Sequence, residues 1–106
     1  MKDGIYYVVF RSNQADAGNG TVVVKDGVIN GGDFGYVYQG KIEGGKVKLH
    51  VKQHDPKVPS VFPGVTSYSM SLSIEESPGG YVLSGAIDGY PQARLSVGAK
   101  YTSALA

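Results

Sequence analysis

Between residues 36 and 53 apolar and polar positions alternate on both sides of Glu43-Gly44-Gly45-Lys46. Alternation with period two is the signature of a half-buried strand. Two adjacent glycines between two such runs suit a two-residue primed turn, whose centre needs positive φ. The pattern therefore predicts a long β-hairpin with a fixed register. On one side Ile42 faces Val47, Gly40 faces Leu49, Tyr38 faces Val51 and Tyr36 faces Gln53. On the other, Glu43 faces Lys46, Lys41 faces Lys48, Gln39 faces His50 and Val37 faces Lys52. A slip of one residue would exchange the two faces, so the register is strongly specified.

The rest of the chain supplies further short strands. Residues 4–12 (GIYYVVFRS) are apolar on both faces, Ile5, Tyr7 and Val9 alternating with Tyr6, Val8 and Phe10. A doubly apolar strand is unusual in a small antiparallel domain. Its outer face is covered either by other elements or by a second copy of the chain. Residues 13–19 are polar and read as a loop. Residues 20–25 form a strand, Asp26-Gly27 is a hairpin signal, and residues 28–30 form a short strand ended by Gly31-Gly32. Residues 55–64 carry Pro56, Pro59 and Pro63, so they are an irregular connection rather than ladder. Its apolar Val58, Val61 and Phe62 either tuck over one end of the fold or form a contact surface. Residues 67–74 alternate serine with Tyr68, Met70, Leu72 and Ile74. Ser77-Pro78-Gly79-Gly80 is a turn, residues 81–88 a strand, residues 89–92 a turn, and residues 93–101 the last strand. No stretch keeps a helical period over three turns.

The expectation is an all-β fold: about eight antiparallel strands in up-and-down order, closing into a lipocalin-like barrel. Its interior would be just wide enough for side chains or one small ligand. The 106 residues suffice for one domain spanning residues 1–106. Sixteen glycines and eight tyrosines reinforce a fold of tight turns and curved strands rather than a disordered chain. No cysteine is present, which excludes disulfides and zinc–thiolate sites. The net charge of +1 gives no global attraction to nucleic acid or anionic membranes. No apolar run is long enough for a signal peptide or a membrane span, so the expected location is the cytoplasm.

Candidate chemistry is sparse. His50 and His54 lie four apart on a strand, about 13 Å, too far to share a metal. No glycine pair opens a helix as a phosphate loop does, and no serine is placed against a histidine and an oxyanion site. An enzyme is not expected, and no cofactor is implied. The wet face of the hairpin carries Lys41, Lys46, Lys48, His50 and Lys52, with His54 beyond and Glu43 opposed. It is either a solvated strand face that deters edge pairing or a docking patch for an acidic protein surface or phosphates. Direct nucleic-acid binding is the weaker version, because no aromatic residues interleave with the cations. The inner tyrosines Tyr36, Tyr38 and Tyr68, with Tyr7 and Tyr101, either pack the core or line a cavity for an amphipathic, lipid-like ligand. Such a cavity would also be lined by Leu49, Val51, Met70 and Leu72.

Several short stretches occur together in a known order: Met1-Lys2-Asp3-Gly4-Ile5-Tyr6, Ser12-Asn13, Gly31-Gly32-Asp33, Val37-Tyr38-Gln39-Gly40, Leu49-His50-Val51 and Pro59-Ser60-Val61. In these the chain resembles the GrlR family, negative regulators of type III secretion genes. The resemblance runs from the first residue to about Val61. It implies an eight-stranded lipocalin-like barrel that forms a homodimer and represses by binding and neutralising a transcriptional activator, without a DNA-reading element. It also implies a cavity or dimer seam able to hold lipid, which supports the alternative role of carrier or sensor of a lipid-like molecule. Enterobacterial members carry an acidic run just before the Leu-His-Val strand that is implicated in meeting the activator. Here Glu43-Gly44-Gly45-Lys46 occupies that place, so a contact needing several carboxylates does not carry over. The remaining partner-facing candidates are Lys41, Glu43, Gly44, Gly45, Lys46, Lys48, His50 and Lys52.

Overall fold

The alternating residues around Gly44-Gly45 form the predicted hairpin in the computed structural model, which describes residues 1–14, 18–60, 62 and 64–106. Strand β4 (Tyr36–Glu43) pairs with β5 (Lys46–Gln53). All eight expected cross-strand partners are met, from Tyr36 opposite Gln53 to Glu43 opposite Lys46. Gly44 and Gly45 have φ of 57° and 77°, the left-handed pair of a type I′ turn. The Asp26-Gly27 turn repeats this geometry at φ 52° and 75°. It joins β2 (Gly18–Lys25) to β3 (Val28–Gly32).

With β1 (Gly4–Ser12), β6 (Ser67–Ser77), β7 (Gly80–Ile87) and β8 (Tyr90–Ser103), these strands close an antiparallel barrel in sequence order, β1 pairing with β8. No helix occurs among the described residues. The inward residues of every strand meet in one core, with Tyr6, Met70, Val24 and Val47 almost wholly buried. Closure removes the open edges that a sheet of this length would otherwise expose.

Several strand boundaries differ from those expected. Gly18 and Asn19 belong to β2 rather than to the loop, pairing with Phe10 and Val9. The rest of that loop includes residues 15–17, outside the described residues. Strand β3 runs on through Gly31-Gly32, which pair with β2 and β4. Strand β6 continues to Ser77, and β7 begins at Gly80. The last turn is Asp88-Gly89, not residues 89–92. Tyr90 already pairs with Ile87, and the next partner pair is Arg94 with Ala86. Pro91 thus falls inside a bulge, the place where a strand tolerates a residue without an amide donor.

The proline-rich connection tucks over one barrel end. Phe62 is 1% exposed and stands edge-on to Tyr68, ring centroids 5.5 Å apart. Val58 lies against the bare Cα of Gly35, where a Cβ would stand 2.4 Å from Val58 Cγ1. Val61 and Pro63 lie outside the described residues. Strand β1 turns Tyr6, Val8 and Phe10 inward. Its other face leaves Tyr7 44% exposed, with Ile5 and Val9 half-buried. Tyr7 is therefore not among the inner tyrosines; Tyr6 holds that position.

Candidate functional site

Register places the basic residues before any contact is considered. Lys46, Lys48, His50 and Lys52 share the outward parity of β5, and Lys41 and Glu43 that of β4. All are exposed, as are Gly44 and Gly45 at the turn. Lys41 stands directly opposite Lys48, a like-charge pair, and Glu43 opposite Lys46. On the other flank β6 presents a serine to each β5 side chain: Ser73 to Lys46, Ser71 to Lys48, Ser69 to His50 and Ser67 to Lys52. His50 Nδ1 lies 3.0 Å from Ser69 Oγ.

One rung of this arrangement holds an anion supplied by the chain itself. Lys48 Nζ forms an ion pair with Asp88 Oδ2, and Ser71 Oγ donates to Asp88 Oδ1 at 3.2 Å. Asp88 sits in the β7–β8 turn, and its backbone N–H is anchored to the carbonyl of Ser69 at 2.9 Å. The alternating serines were visible in the sequence as a polar face. Their position beside the lysines was not, because residues 54–66 intervene and no tight turn fixes the register of β5 against β6. Asp88 opens an Asp-Gly pair like Asp26-Gly27, but nothing local places its carboxylate against Lys48.

His54 lies beyond the end of β5, its Nε2 2.9 Å from the Asp33 carbonyl oxygen. The two histidines thus serve separate contacts. Among the described residues no group of three histidine, cysteine or acidic residues could hold a metal ion.

The inner tyrosines form two clusters at opposite barrel ends. At one, Asp33 Oδ1 accepts the amide N–H groups of Gly35 and Tyr36 at 2.8 and 2.7 Å, and Oδ2 accepts the phenol of Tyr38. Gln53 Nε2 donates to the Val58 carbonyl at 2.9 Å and reaches Tyr36 Oη at 3.4 Å. Burial pushes the Tyr38 phenol well above its ordinary range, and the hydrogen bond to Asp33 and its negative charge add to this. Burial does the same to Tyr68, with Tyr36 beside it. At the other end Tyr6 donates to the Lys2 carbonyl at 2.6 Å and meets Tyr101 edge-on. Burial, reinforced by Tyr81, pushes Tyr6 up to about 12. Lys2 Nζ sits 3.9 Å above the Tyr101 ring, a cation–π contact that holds the N-terminal segment across this mouth.

Between the clusters lies an apolar cavity of about 30 Å³. Tyr38, Leu49 and Leu72 line it, together with Met1 and other inward residues. Tyr36, Val51, Tyr68 and Met70, also expected to line a cavity, are buried in the core. Small-molecule sites run to roughly 300–1,000 Å³, so this space is far below what an acyl chain needs.

A family model described as the T3SS negative regulator GrlR matches residues 1–105 of the chain. No curated protein matches it.

Proposed function

The chain belongs to the GrlR family of type III secretion negative regulators, and from that premise we propose that it represses by binding a transcriptional activator protein rather than by reading DNA. The observation that carries this reading is the contrast between inside and outside. The apolar cavity between the tyrosine clusters offers only about 30 Å³, so this reading places the working chemistry on the outer surface. There the β4–β5 hairpin offers a basic face of Lys41, Lys46, Lys48, His50 and Lys52. Sequence-specific DNA readers commonly insert a helix or a two-stranded ribbon into the major groove. A closed barrel with no helix among the described residues supplies neither. The role is one of binding, not catalysis, and is exercised in the cytoplasm, where the activator is met.

The homodimer belongs to the same proposal. Outward Ile5 pairs with Val23, and outward Val9 pairs with Gly98, which in turn pairs with Val82. With the exposed Tyr7 these residues make an apolar stripe across β2, β1, β8 and β7 that suits an isologous contact with a second copy. The alternative of a lipid carrier would need more space than the cavity lined by Tyr38, Leu49 and Leu72 offers.

The test is a reporter driven by a type III secretion promoter in the host of this protein. Replacing Lys41, Lys48 and Lys52 together by glutamate relieves repression toward the level of a gene deletion, with circular dichroism and thermal unfolding showing a retained fold. Full repression by the folded triple variant would remove the hairpin face from the mechanism. A deletion that changes no type III secretion transcripts would remove the role itself.

A further inference from the structure

Asp88 shows what the β5–β6 face does with a carboxylate. One oxygen is held by Lys48, the other by the hydroxyl of Ser71, the residue directly across the ladder. A lysine and a short hydroxyl side chain on neighbouring strands thus act as a two-point clamp, a charge-assisted contact on one oxygen and a neutral donor on the other. Directly opposed residues have Cβ atoms about 5 Å apart. That separation is set by the ladder, not by Asp88, so the same clamp recurs wherever lysine faces serine.

The facing lysine–serine pair recurs twice more. Lys46 faces Ser73 and Lys52 faces Ser67, on the same outer surface. Among the described residues neither lysine is paired with a carboxylate. The two rungs are six residues apart along β5, about 20 Å. Two rungs lie between them: Lys48 and Ser71, already holding Asp88, and His50 and Ser69, hydrogen-bonded to each other. We infer that β5 and β6 form a docking ladder for an extended acidic peptide segment of the partner, in which two carboxylates six residues apart are gripped by Lys46/Ser73 and Lys52/Ser67. This rests on the partner-binding reading of the hairpin face given above.

Three features select a peptide over a nucleic acid. The ladder is short and ends in like charge. Glu43 faces Lys46, and Glu75 follows Ser73 on the same side of β6. Both would repel a long polyanion running past that end, so a bound acidic segment has to stop at the Lys46 rung, as a short peptide can. No aromatic side chain interleaves with the cations to stack bases. An extended peptide, by contrast, presents every second side chain to one side at about 7 Å, so side chains six residues apart span the distance between the two open rungs. The serines are short, so partner carboxylates can descend between the lysines to reach the hydroxyls.

The test uses the whole chain and a synthetic peptide of alternating glutamate and threonine. Its glutamine counterpart and a thymidine oligonucleotide serve as competitors for the interpretation, and binding is followed by amide chemical shifts. Saturable binding is expected, with shifts confined to β5 and β6. Lys46→Glu with Lys52→Glu weakens it at least about tenfold, and Ser67→Ala with Ser73→Ala about threefold. The first pair leaves Lys48 with Asp88, so the native tether of the β7–β8 turn is kept. Asp88→Asn frees Lys48 and Ser71 for the ligand and tightens binding about threefold. Equal binding of the glutamine peptide, unchanged affinity in the lysine pair, or tighter binding of the oligonucleotide overturns the inference. If the glutamate peptide fails to bind while the lysine variants still lose repression in the reporter, the acidic-peptide ladder falls and the partner-binding reading stands.

Discussion

Tyr38 donates its phenolic hydrogen to the carboxylate of Asp33 at one mouth of the barrel, and the same carboxylate holds the backbone of the β3–β4 loop through Gly35 and Tyr36. A buried side chain is thereby tied to the backbone of the β3–β4 loop. The phenol has to stay protonated for this bond to exist. Tyr6 at the opposite mouth donates in the same way to the Lys2 carbonyl, and burial raises Tyr6, Tyr38 and Tyr68 alike.

These phenols make stability fall in alkali. An unfolded tyrosine titrates near about 10, and each of the three titrates higher when folded. Between the two values the folded state holds the proton and the unfolded state has lost it. Stability is therefore fully present below about pH 10 and is lost as pH rises through the folded values, which for Tyr6 is about 12. Urea unfolding at about pH 9 and about pH 11 should show a clear drop at the higher pH. Tyr6→Phe should shrink that drop. An unfolding free energy flat across this range would show that these phenols do not titrate differently in the two states.

The hairpin turn gives a second, independent expectation. Gly44 and Gly45 both sit at positive φ with no atom near the place of a Cβ, so the demand there is conformational and not steric. Valine at both positions should destabilise the protein by about 2–4 kcal/mol, because each β-branched residue resists the left-handed region. Asparagine at position 44 with Gly45 retained should be close to neutral, being the commonest type I′ pair. Equilibrium denaturation measures both. A stable double-valine variant would mean the turn can adopt another type without disturbing the register.

What the sequence revealed depended on whether local chemistry fixed the register. It did at Gly44-Gly45, where a two-residue turn joins two strands of clear parity, and there every partner from Tyr36 to Gln53 was legible. It did again at Asp26-Gly27. In β1 both faces are apolar, so parity could not say which tyrosine pointed inward, and Tyr6 rather than Tyr7 fills the core. At the start of β8 the proline suggested a turn, whereas the bulge between Ala86 and Ile87 absorbs it within the strand. The lysines of the candidate site were legible as one face. The serines across from them and the Asp88 carboxylate were not, because their placement follows from the closure of the barrel over residues 54–66. Interior volume was also illegible, since it depends on how Phe10, Tyr38, Leu49 and their neighbours interdigitate rather than on their spacing. Phe10 and Tyr38 rings, for example, meet at 4.8 Å between centroids.

The central claim, repression by capture of a protein, is tested most directly by native mass spectrometry of the full chain purified from its own host together with the activator of its type III secretion genes. The account predicts a discrete complex of the two proteins that disappears when Lys41, Lys48 and Lys52 are replaced by glutamate, with no dependence on added promoter DNA. Absence of any complex with the activator, alongside direct binding of the chain to promoter DNA, would contradict it.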